Sequence, residues 1–144
     1  MKIVDANVLL YAVNTGSEHH RRARRWLDDA LSAEETTGFA WVVLLAFLRL
    51  ATHPVVYTRP LSTAQASDLV RSWLSQSSAS VVSPTARHAD VLAGLLADSG
   101  TAGNLVNDAH LAALAIEHDA VLVSFDADFA RFRGVRWEAP AGLS

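Results

Sequence analysis

Three aspartates stand where predicted secondary-structure elements meet, and together their side chains could bind a divalent cation. Asp5 follows the first apolar run of the chain, Asp108 lies near the start of an apolar helical pattern, and Asp126 follows a strand-like run. In an open α/β sheet, ligands bind beyond the carboxyl ends of the strands, so acids placed there converge although they are distant in sequence. Carboxylate oxygens are the preferred ligands of hard divalent cations. The spacing therefore predicts an acidic, metal-binding centre.

The elements that would carry these aspartates alternate between strands and helices. Apolar runs predict strands at 2–5, 36–40, 80–83, 120–124 and 135–137. Helical spacing of apolar residues predicts helices at 6–13, 17–33, 41–51 and 62–76, one from Pro84 to about residue 98, one that carries Asp108, and a short one at 127–131. Strands separated by helices pair in parallel, with helices on both faces. The fold prediction is α/β: a three-layer α/β/α sandwich with a central, mainly parallel sheet.

The helix predicted at 41–51 is apolar on nearly every side. A helix of this kind is buried on most of its surface. Trp26, Trp41 and Trp73 lie on apolar helix faces, which favours positions in the core or at an interface over base stacking.

Composition limits the class of protein. The 144 residues are 51% hydrophobic with a formal net charge of −3, as in globular chains. A single domain of this length would bury roughly 68–70% of the surface that its unfolded chain exposes. The absence of cysteine excludes disulfides, thiolate metal sites and a cysteine nucleophile. Neither a secretory signal pattern nor a membrane-length apolar run is present, so we expect a cytoplasmic protein.

Missing residues argue against several phosphate-handling classes. Phosphotransfer proteins that carry an aspartate after their first strand use a lysine near the phosphoryl group, and here Lys2 is the only lysine. No Gly-Lys-Ser/Thr sequence is present, which excludes a P-loop. A dinucleotide-binding domain needs a glycine-rich turn after its first strand, and Asp5-Ala6-Asn7 is not one.

Three blocks of sequence carry a resemblance to a known family. They are Met1-Lys2-Ile3-Val4-Asp5-Ala6-Asn7-Val8-Leu9-Leu10, Gly103-Asn104-Leu105-Val106-Asn107-Asp108-Ala109-His110-Leu111-Ala112-Ala113-Leu114-Ala115, and Val123-Ser124-Phe125-Asp126-Ala127-Asp128-Phe129. In their order and spacing, these blocks resemble the PIN-domain ribonucleases, specifically the VapC-type toxins of type II (VapBC) toxin–antitoxin systems. The resemblance extends over nearly the whole chain.

The resemblance implies a Mg²⁺- or Mn²⁺-dependent endoribonuclease that cuts a structured cellular RNA, often a tRNA, and is silenced by a cognate VapB-type antitoxin. It also implies a homodimer and a toxin–antitoxin hetero-oligomer. Asp5, Asp108 and Asp126 match the family's metal-binding acids, Asp128 matches a frequent accessory acid, and Asn7 matches the polar residue that steadies the first aspartate. Phosphodiester hydrolysis suits such a centre, because a carboxylate-held metal activates water and neutralises phosphate charge.

One position departs from the family. A further acid, a glutamate, usually lies on the helix that begins here at Trp41, and the matching residue is Ala46. Loss of that carboxylate should weaken metal binding and make it depend on substrate phosphate, since Mg²⁺ typically combines one or two carboxylates with phosphate and water. The alternative function is therefore a catalytically weak or inactive PIN-like module that binds RNA or an antitoxin without cutting.

Two of the acids also have a purely structural interpretation. Asp126 is well placed to be the N-cap of the short helix that follows it. Asp128 would then lie in the first turn of that helix, where the helix dipole favours negative charge.

The remaining polar residues allow two interpretations. The helix predicted at 17–33 carries an arginine cluster, Arg21, Arg22, Arg24 and Arg25. This cluster is either a solvated helix face or a contact for RNA phosphates, since arginine binds phosphate in a bidentate manner. The histidines lack metal-ligand spacing, so His53, His110 and His118 are interpreted as surface or packing residues, whereas His19 and His20 could contact RNA.

Overall fold

A computed structural model describes residues 1–142, which contain five strands, six α-helices and one short 3₁₀ helix. In chain order, these elements are β1 (Lys2–Val4), α1 (Ala6–Val13), α2 (His20–Ser32), β2 (Thr37–Ala40), α3 (Trp41–Ala51), α4 (Thr63–Leu74), β3 (Ala79–Val82), α5 (His88–Ser99), α6 (Leu105–Glu117), β4 (Val121–Val123), the 3₁₀ helix (Ala127–Arg131) and β5 (Arg136–Glu138). Between residues 1 and 142, no helix has the length and apolar character needed to cross a membrane.

The five strands form one parallel sheet in the order β3-β2-β1-β4-β5. The chain moves outward from β1 to β2 and β3, then crosses back to β4 and β5 on the other side of β1. Right-handed crossovers place α1 to α4 on one face of the sheet and α5 and α6 on the other. The predicted three-layer α/β/α sandwich is confirmed. Because the strand order reverses at β1, a ligand is expected beyond the carboxyl ends of β1 and β4.

Apolar burial holds these two central strands and α6 in place. Ile3 and Val4 of β1 and Leu122 and Val123 of β4 are fully buried, and residues 111–115 of α6 are all buried. A fully buried side chain of this size contributes roughly 1.5–3 kcal/mol to folding. The elements that present the aspartates are therefore anchored in the most buried part of the protein.

Two helices begin later than the sequence pattern predicts. α5 begins at His88 rather than at Pro84, because Glu117 Oε1 accepts hydrogen bonds from the backbone N (2.9 Å) and from Oγ1 (2.6 Å) of Thr85. These bonds hold the residues before α5 as a loop. α2 begins at His20 because the preceding residues form turns.

The tryptophans on apolar helix faces have different surroundings. Trp73 is buried and meets Phe47 edge to face, with ring centroids 4.9 Å apart, so its core assignment is confirmed. Trp26 is only partly buried, and Trp41 is 49% exposed. Leu45, one turn beyond Trp41 on α3, is 59% exposed. The prediction that α3 is buried on most sides is therefore wrong for this face, which lies at the edge of the helical layer.

Side chains pack closely around Gly38 in β2. A Cβ atom added there would lie 2.9 Å from Val82 Cγ1 and 3.0 Å from Ile3 Cγ1. We expect Gly38→Ala to lower the free energy of unfolding by about 1–3 kcal/mol, because both crowded side chains are β-branched and cannot move away easily. Thermal and urea denaturation followed by circular dichroism measure this change.

Gly94→Ala is the matched control. Gly94 is exposed in α5 and an added Cβ would meet nothing within 4 Å. The free energy of unfolding of this variant should rise by roughly 0.5–1 kcal/mol, the usual helix preference of alanine over glycine. A Gly38→Ala protein as stable as the parent would contradict the assigned close packing.

Candidate active site

A buried hydroxyl group organises the carboxyl ends of β1 and β4. Ser124 is fully buried, and its Oγ donates a hydrogen bond to Asp5 Oδ2 at 2.7 Å. The same oxygen accepts hydrogen bonds from Asn7 Nδ2 and from the backbone N of Asp126, both at 3.0 Å. The serine thus uses its single donor and both acceptor positions. This arrangement directs the serine proton at Asp5 and favours the ionised carboxylate.

Asp5 is held from a second direction by its own helix. It is the N-cap of α1, and its Oδ1 accepts a hydrogen bond from the backbone N of Ala6 at 2.7 Å. Asn7 does not bond Asp5 directly. It bonds Ser124 and, through its Oδ1, accepts from the backbone N of Phe125 at 3.1 Å. Asn7 therefore acts on Asp5 through the serine hydroxyl.

The N-cap interpretation of Asp126 is confirmed. Asp126 Oδ1 accepts a hydrogen bond from the backbone N of Asp128 at 2.9 Å and begins the 3₁₀ helix. The side chain of Asp128 is 72% exposed and lies 3.5 Å from Arg131 in an ion pair. Asp128 is thus a solvated residue of the first turn, as its structural interpretation predicts.

Asp108 and Asp5 line one cleft of about 430 Å³ between α3 and the start of α6. Ala46 and Arg49 of α3 are on its wall, together with Asn104 and Asn107 beside Asp108. Asp126 and Asp128 are outside this lining. A larger cleft of about 600 Å³ lies between residues 13–16 and 51–61, with no carboxylate among the described residues that line it. The acidic cleft is therefore identified as the candidate site by its two carboxylates and not by its volume.

The electrostatics show that these acids lie close together. The pKa of Asp108 rises to about 6, first because of burial and then because of the negative charges of Asp5 and Asp126. Arg131 opposes this rise and Asp128 adds to it. Burial also raises the pKa of Asp5, against the hydrogen bonds from Ser124 and Ala6. Negative charge at the centre exceeds the nearby positive charge, which favours a bound cation.

The donor set fits a Mg²⁺ or Mn²⁺ ion that takes part of its coordination from substrate. In the part of the chain that the structure describes, no three His, Asp or Glu side chains are arranged to hold one metal ion together. Two carboxylates in a solvent-open cleft nevertheless match the way Mg²⁺ combines one or two carboxylates with phosphate and water. Ala46 is among the residues that line the same cleft, and no described residue of α3 contributes a carboxylate to this lining.

The arginine cluster on α2 is partly occupied by contacts within the protein. Arg22 donates to the backbone oxygens of Pro140 and Ala141, and its guanidinium carbon lies 5.2 Å from the centre of the Phe125 ring. Arg24 Nε lies 3.1 Å from Asp28 Oδ2 in an ion pair. Arg21 and Arg25 are exposed. RNA binding by this cluster stays a prediction.

A polar network that sequence reasoning missed surrounds Glu117 at the far end of α6. The buried Glu117 carboxylate accepts from Thr85 and bonds His88 Nδ1, and His88 Nε2 lies 2.9 Å from His110 Nδ1. His110 is thus a packing residue, as interpreted. No local pattern distinguishes Glu117 from an exposed helix residue. Ser124 was also missed, although it stands beside Asp126 in one of the three blocks described above.

Comparisons with known proteins agree with the resemblance seen in the sequence. The family model for the PIN domain matches residues 2–135. Ribonuclease VapC37 of Mycobacterium tuberculosis is 62% identical over 143 residues, covering 99% of each chain. VapBC2 of Rickettsia felis bound to a promoter DNA fragment has a TM-score of 0.70 at 20% identity, over 96% of this chain and 97% of that one. VapC20 of M. tuberculosis, a sarcin-ricin loop cleaving toxin, has a TM-score of 0.66 at 21% identity, over 94% and 99%.

Ser124→Ala tests the hydroxyl network. The change leaves the partly buried Asn7 amide and Asp126 backbone N–H without their acceptor and removes the side-chain donor to Asp5. We expect a loss of about 1–3 kcal/mol in the free energy of unfolding, the usual cost of unsatisfied buried polar groups. Urea denaturation measures it. Ser75→Ala, which removes an exposed hydroxyl at the C-cap of α4, should change the free energy of unfolding by less than about 0.5 kcal/mol.

Asp108→Asn tests the raised pKa of Asp108 through the pH dependence of stability. The folded-state pKa of Asp108, about 6, lies above its ordinary value of 3.8, so the folded protein holds this proton more tightly than the unfolded chain. With chelator present, the parent should lose stability relative to Asp108→Asn as pH rises from about 4 to above 6. Because Asp108 is partly exposed, solvent screening limits the expected rise in the variant's free energy of unfolding, relative to the parent at pH 8, to roughly 1 kcal/mol.

Thermal denaturation across this pH range gives the difference between the two proteins. The difference should disappear below about pH 4, where the carboxyl group is protonated in both states. Mg²⁺ at neutral pH should stabilise the parent more than the variant. A constant difference across the range would show that folding does not raise the pKa of Asp108.

Proposed function

Since the chain belongs to the PIN-domain family and is a VapC-type ribonuclease, we propose that it is Mg²⁺- or Mn²⁺-dependent and cuts a structured cellular RNA, with tRNA as the first class to test. The observation that carries the proposal is the cleft that Asp5 and Asp108 both line, where negative charge exceeds the nearby positive charge. We assign Asp5 and Asp108 as metal ligands. Asp126 lies outside the lining of the cleft, so we propose that it reaches the ion through water, with Asp128 as an accessory acid and Asn7 as a positioning residue.

Hydrolysis of a phosphodiester would depend on a cation held by these residues. Bound at the two carboxylates, the divalent ion would activate water and neutralise the charge that develops on the phosphate. Asp5 cannot rotate freely, because Ser124 and the backbone of Ala6 each hold one of its oxygens. Each oxygen keeps a further lone pair for a cation. Positioning of this kind before substrate binds is what an effective catalytic centre requires.

Asp108 contributes from a second rigid element. It lies in the first turn of α6, whose following residues are buried in the core. The start of a helix also favours negative groups, which include an RNA phosphate as well as Asp108. The two carboxylates are thus held on separate, well-anchored elements, and the cleft between them stays open to substrate.

We further propose that a cognate VapB-type antitoxin silences the protein within a hetero-oligomer and that the toxin forms a homodimer. Two features support these partners. The uncompensated acids attract a cationic segment, and arginine is suited to pair with carboxylates. Beside the cleft, Trp41 and Leu45 form an exposed apolar pair, the kind of surface that a protein partner covers.

A second candidate function is an RNA-binding or antitoxin-binding module that does not cut. Ala46 favours it, because the wall of α3 supplies no carboxylate to the centre. Weak metal binding would follow, and the protein could then block translation by binding alone. Hydrolysis that depends on metal and on Asp5 separates the two functions.

We expect antitoxin-free protein to cut total cellular RNA at discrete positions with Mg²⁺ or Mn²⁺ and to leave it intact with chelator. Asp5→Asn should reduce the cleavage rate by at least about 100-fold, because the neutral amide cannot serve as the charged ligand of the cation. Mapping of new 5′ ends identifies the substrate, whether tRNA or the sarcin-ricin loop that VapC20 cuts.

The Asp5→Asn protein must be shown to be folded by circular dichroism, and Asp98→Asn, at an exposed position of α5, is the matched control and should cut normally. Cleavage that persists in Asp5→Asn or in chelator would contradict a metal mechanism at this cleft. Folded parent protein that binds RNA without cutting it under either metal would support the binding module.

A further inference from the structure

Arg49 lies on the wall of the acidic cleft but has no assigned role. It belongs to the last turns of α3, is exposed, and lines the cleft together with Asp5 and Asp108. Ala46 is three residues earlier on the same helix, and residues at this spacing are neighbours on a helix surface. A guanidinium group therefore stands next to the position at which the family's glutamate is missing.

The Arg49 guanidinium makes no hydrogen bond or ion pair within residues 1–142. The other cation near the acids is already paired, since Arg131 lies 3.5 Å from Asp128. Arg49 thus neither neutralises the acids by a direct contact nor supports the fold through its charge. A glutamate at position 46 would be spaced to pair with it, so alanine at that position leaves the guanidinium available.

An acidic cleft repels the backbone of RNA unless a cation on its wall receives a phosphate. Arginine suits this role, because its planar fork binds two phosphate oxygens at once. Asn104 makes no capping hydrogen bond to α6, and Asn104 and Asn107 line the same cleft with side chains that carry amide donors. The cleft therefore combines acids at one point with neutral and cationic donors at its wall.

We propose that Arg49 binds an RNA phosphate beside the acidic centre and that Ala46 keeps its guanidinium free to do so. This inference rests on the proposed nuclease function and names the residue that holds its substrate. Binding of the phosphate by Arg49 brings phosphate oxygens to the cleft, where the carboxylate that α3 lacks would otherwise have supplied a ligand.

The test is binding of fluorescently labelled bulk tRNA to Asp5→Asn protein in chelator, measured by anisotropy over a series of salt concentrations. Adding Arg49→Ala to the Asp5→Asn protein should weaken tRNA binding roughly 10-fold. It should also make the slope of log affinity against log salt concentration shallower, by the amount that corresponds to the loss of about one phosphate contact. Arg49→Lys should keep the slope but bind less tightly, because lysine lacks the fork. Ala46→Glu should weaken binding in the same direction as Arg49→Ala.

Arg71→Ala is the matched control, since it removes the same charge from an exposed position on α4 and should leave affinity and slope unchanged. Equal affinities and slopes for Arg49→Ala and Arg71→Ala would overturn the role of Arg49, as would Asp5→Asn protein that binds no tRNA even at low salt. Cleavage of total cellular RNA by the parent protein, with Mg²⁺ or Mn²⁺, is measured in parallel. If the parent cuts RNA but Arg49→Ala binds tRNA as the control does, only this inference is refuted. If the folded parent cuts no RNA, the nuclease function itself is refuted.

Discussion

Parallel pairing of β1 with β4 is the constraint on which the acidic centre depends. Val4 lies opposite Val123, so the residues that follow them, Asp5 and Ser124, emerge at the same edge of the sheet. The backbone N of Asp5 continues the ladder with a bond to Val123 O at 2.9 Å. A buried hydroxyl can then reach a carboxylate 119 residues away in sequence. Any shift in the pairing of these strands would separate the two groups.

The protein holds its acids together against their mutual repulsion. Burial and neighbouring negative charge raise the pKa of Asp108 and of Asp5, so ionising them costs folding free energy in the absence of a cation. The apolar residues of β1, β4 and α6 offset this cost, because they form the most buried part of the core. Destabilisation of this kind is common where a site is arranged for a ligand rather than for the stability of the fold.

The residues of α3 have three different roles. The helix begins directly after β2, which places it at the carboxyl edge of the sheet, and Val43, Leu44 and Phe47 pack into the core. Trp41, Leu45 and Arg49 recur every four residues and so form one exposed stripe. The same helix thus supplies core packing, an apolar surface and a cation beside the cleft. Ala46 of this helix leaves its wall of the cleft without a carboxylate.

The sequence by itself determined the order and type of nearly every element and the parallel sandwich, because apolar periodicity is a local signal. The resemblance carried by three sequence blocks indicated the family and, with it, the acids at Asp5 and Asp108. The sequence also indicated that Asp126 begins a short helix. Only the tertiary structure decided which groups meet. Ser124, Glu117 and Arg49 carry no local signature, since a buried serine, a buried glutamate and an unpaired arginine look in sequence like any surface residue. Their surroundings are set by strand register and helix packing, which join residues that are distant along the chain.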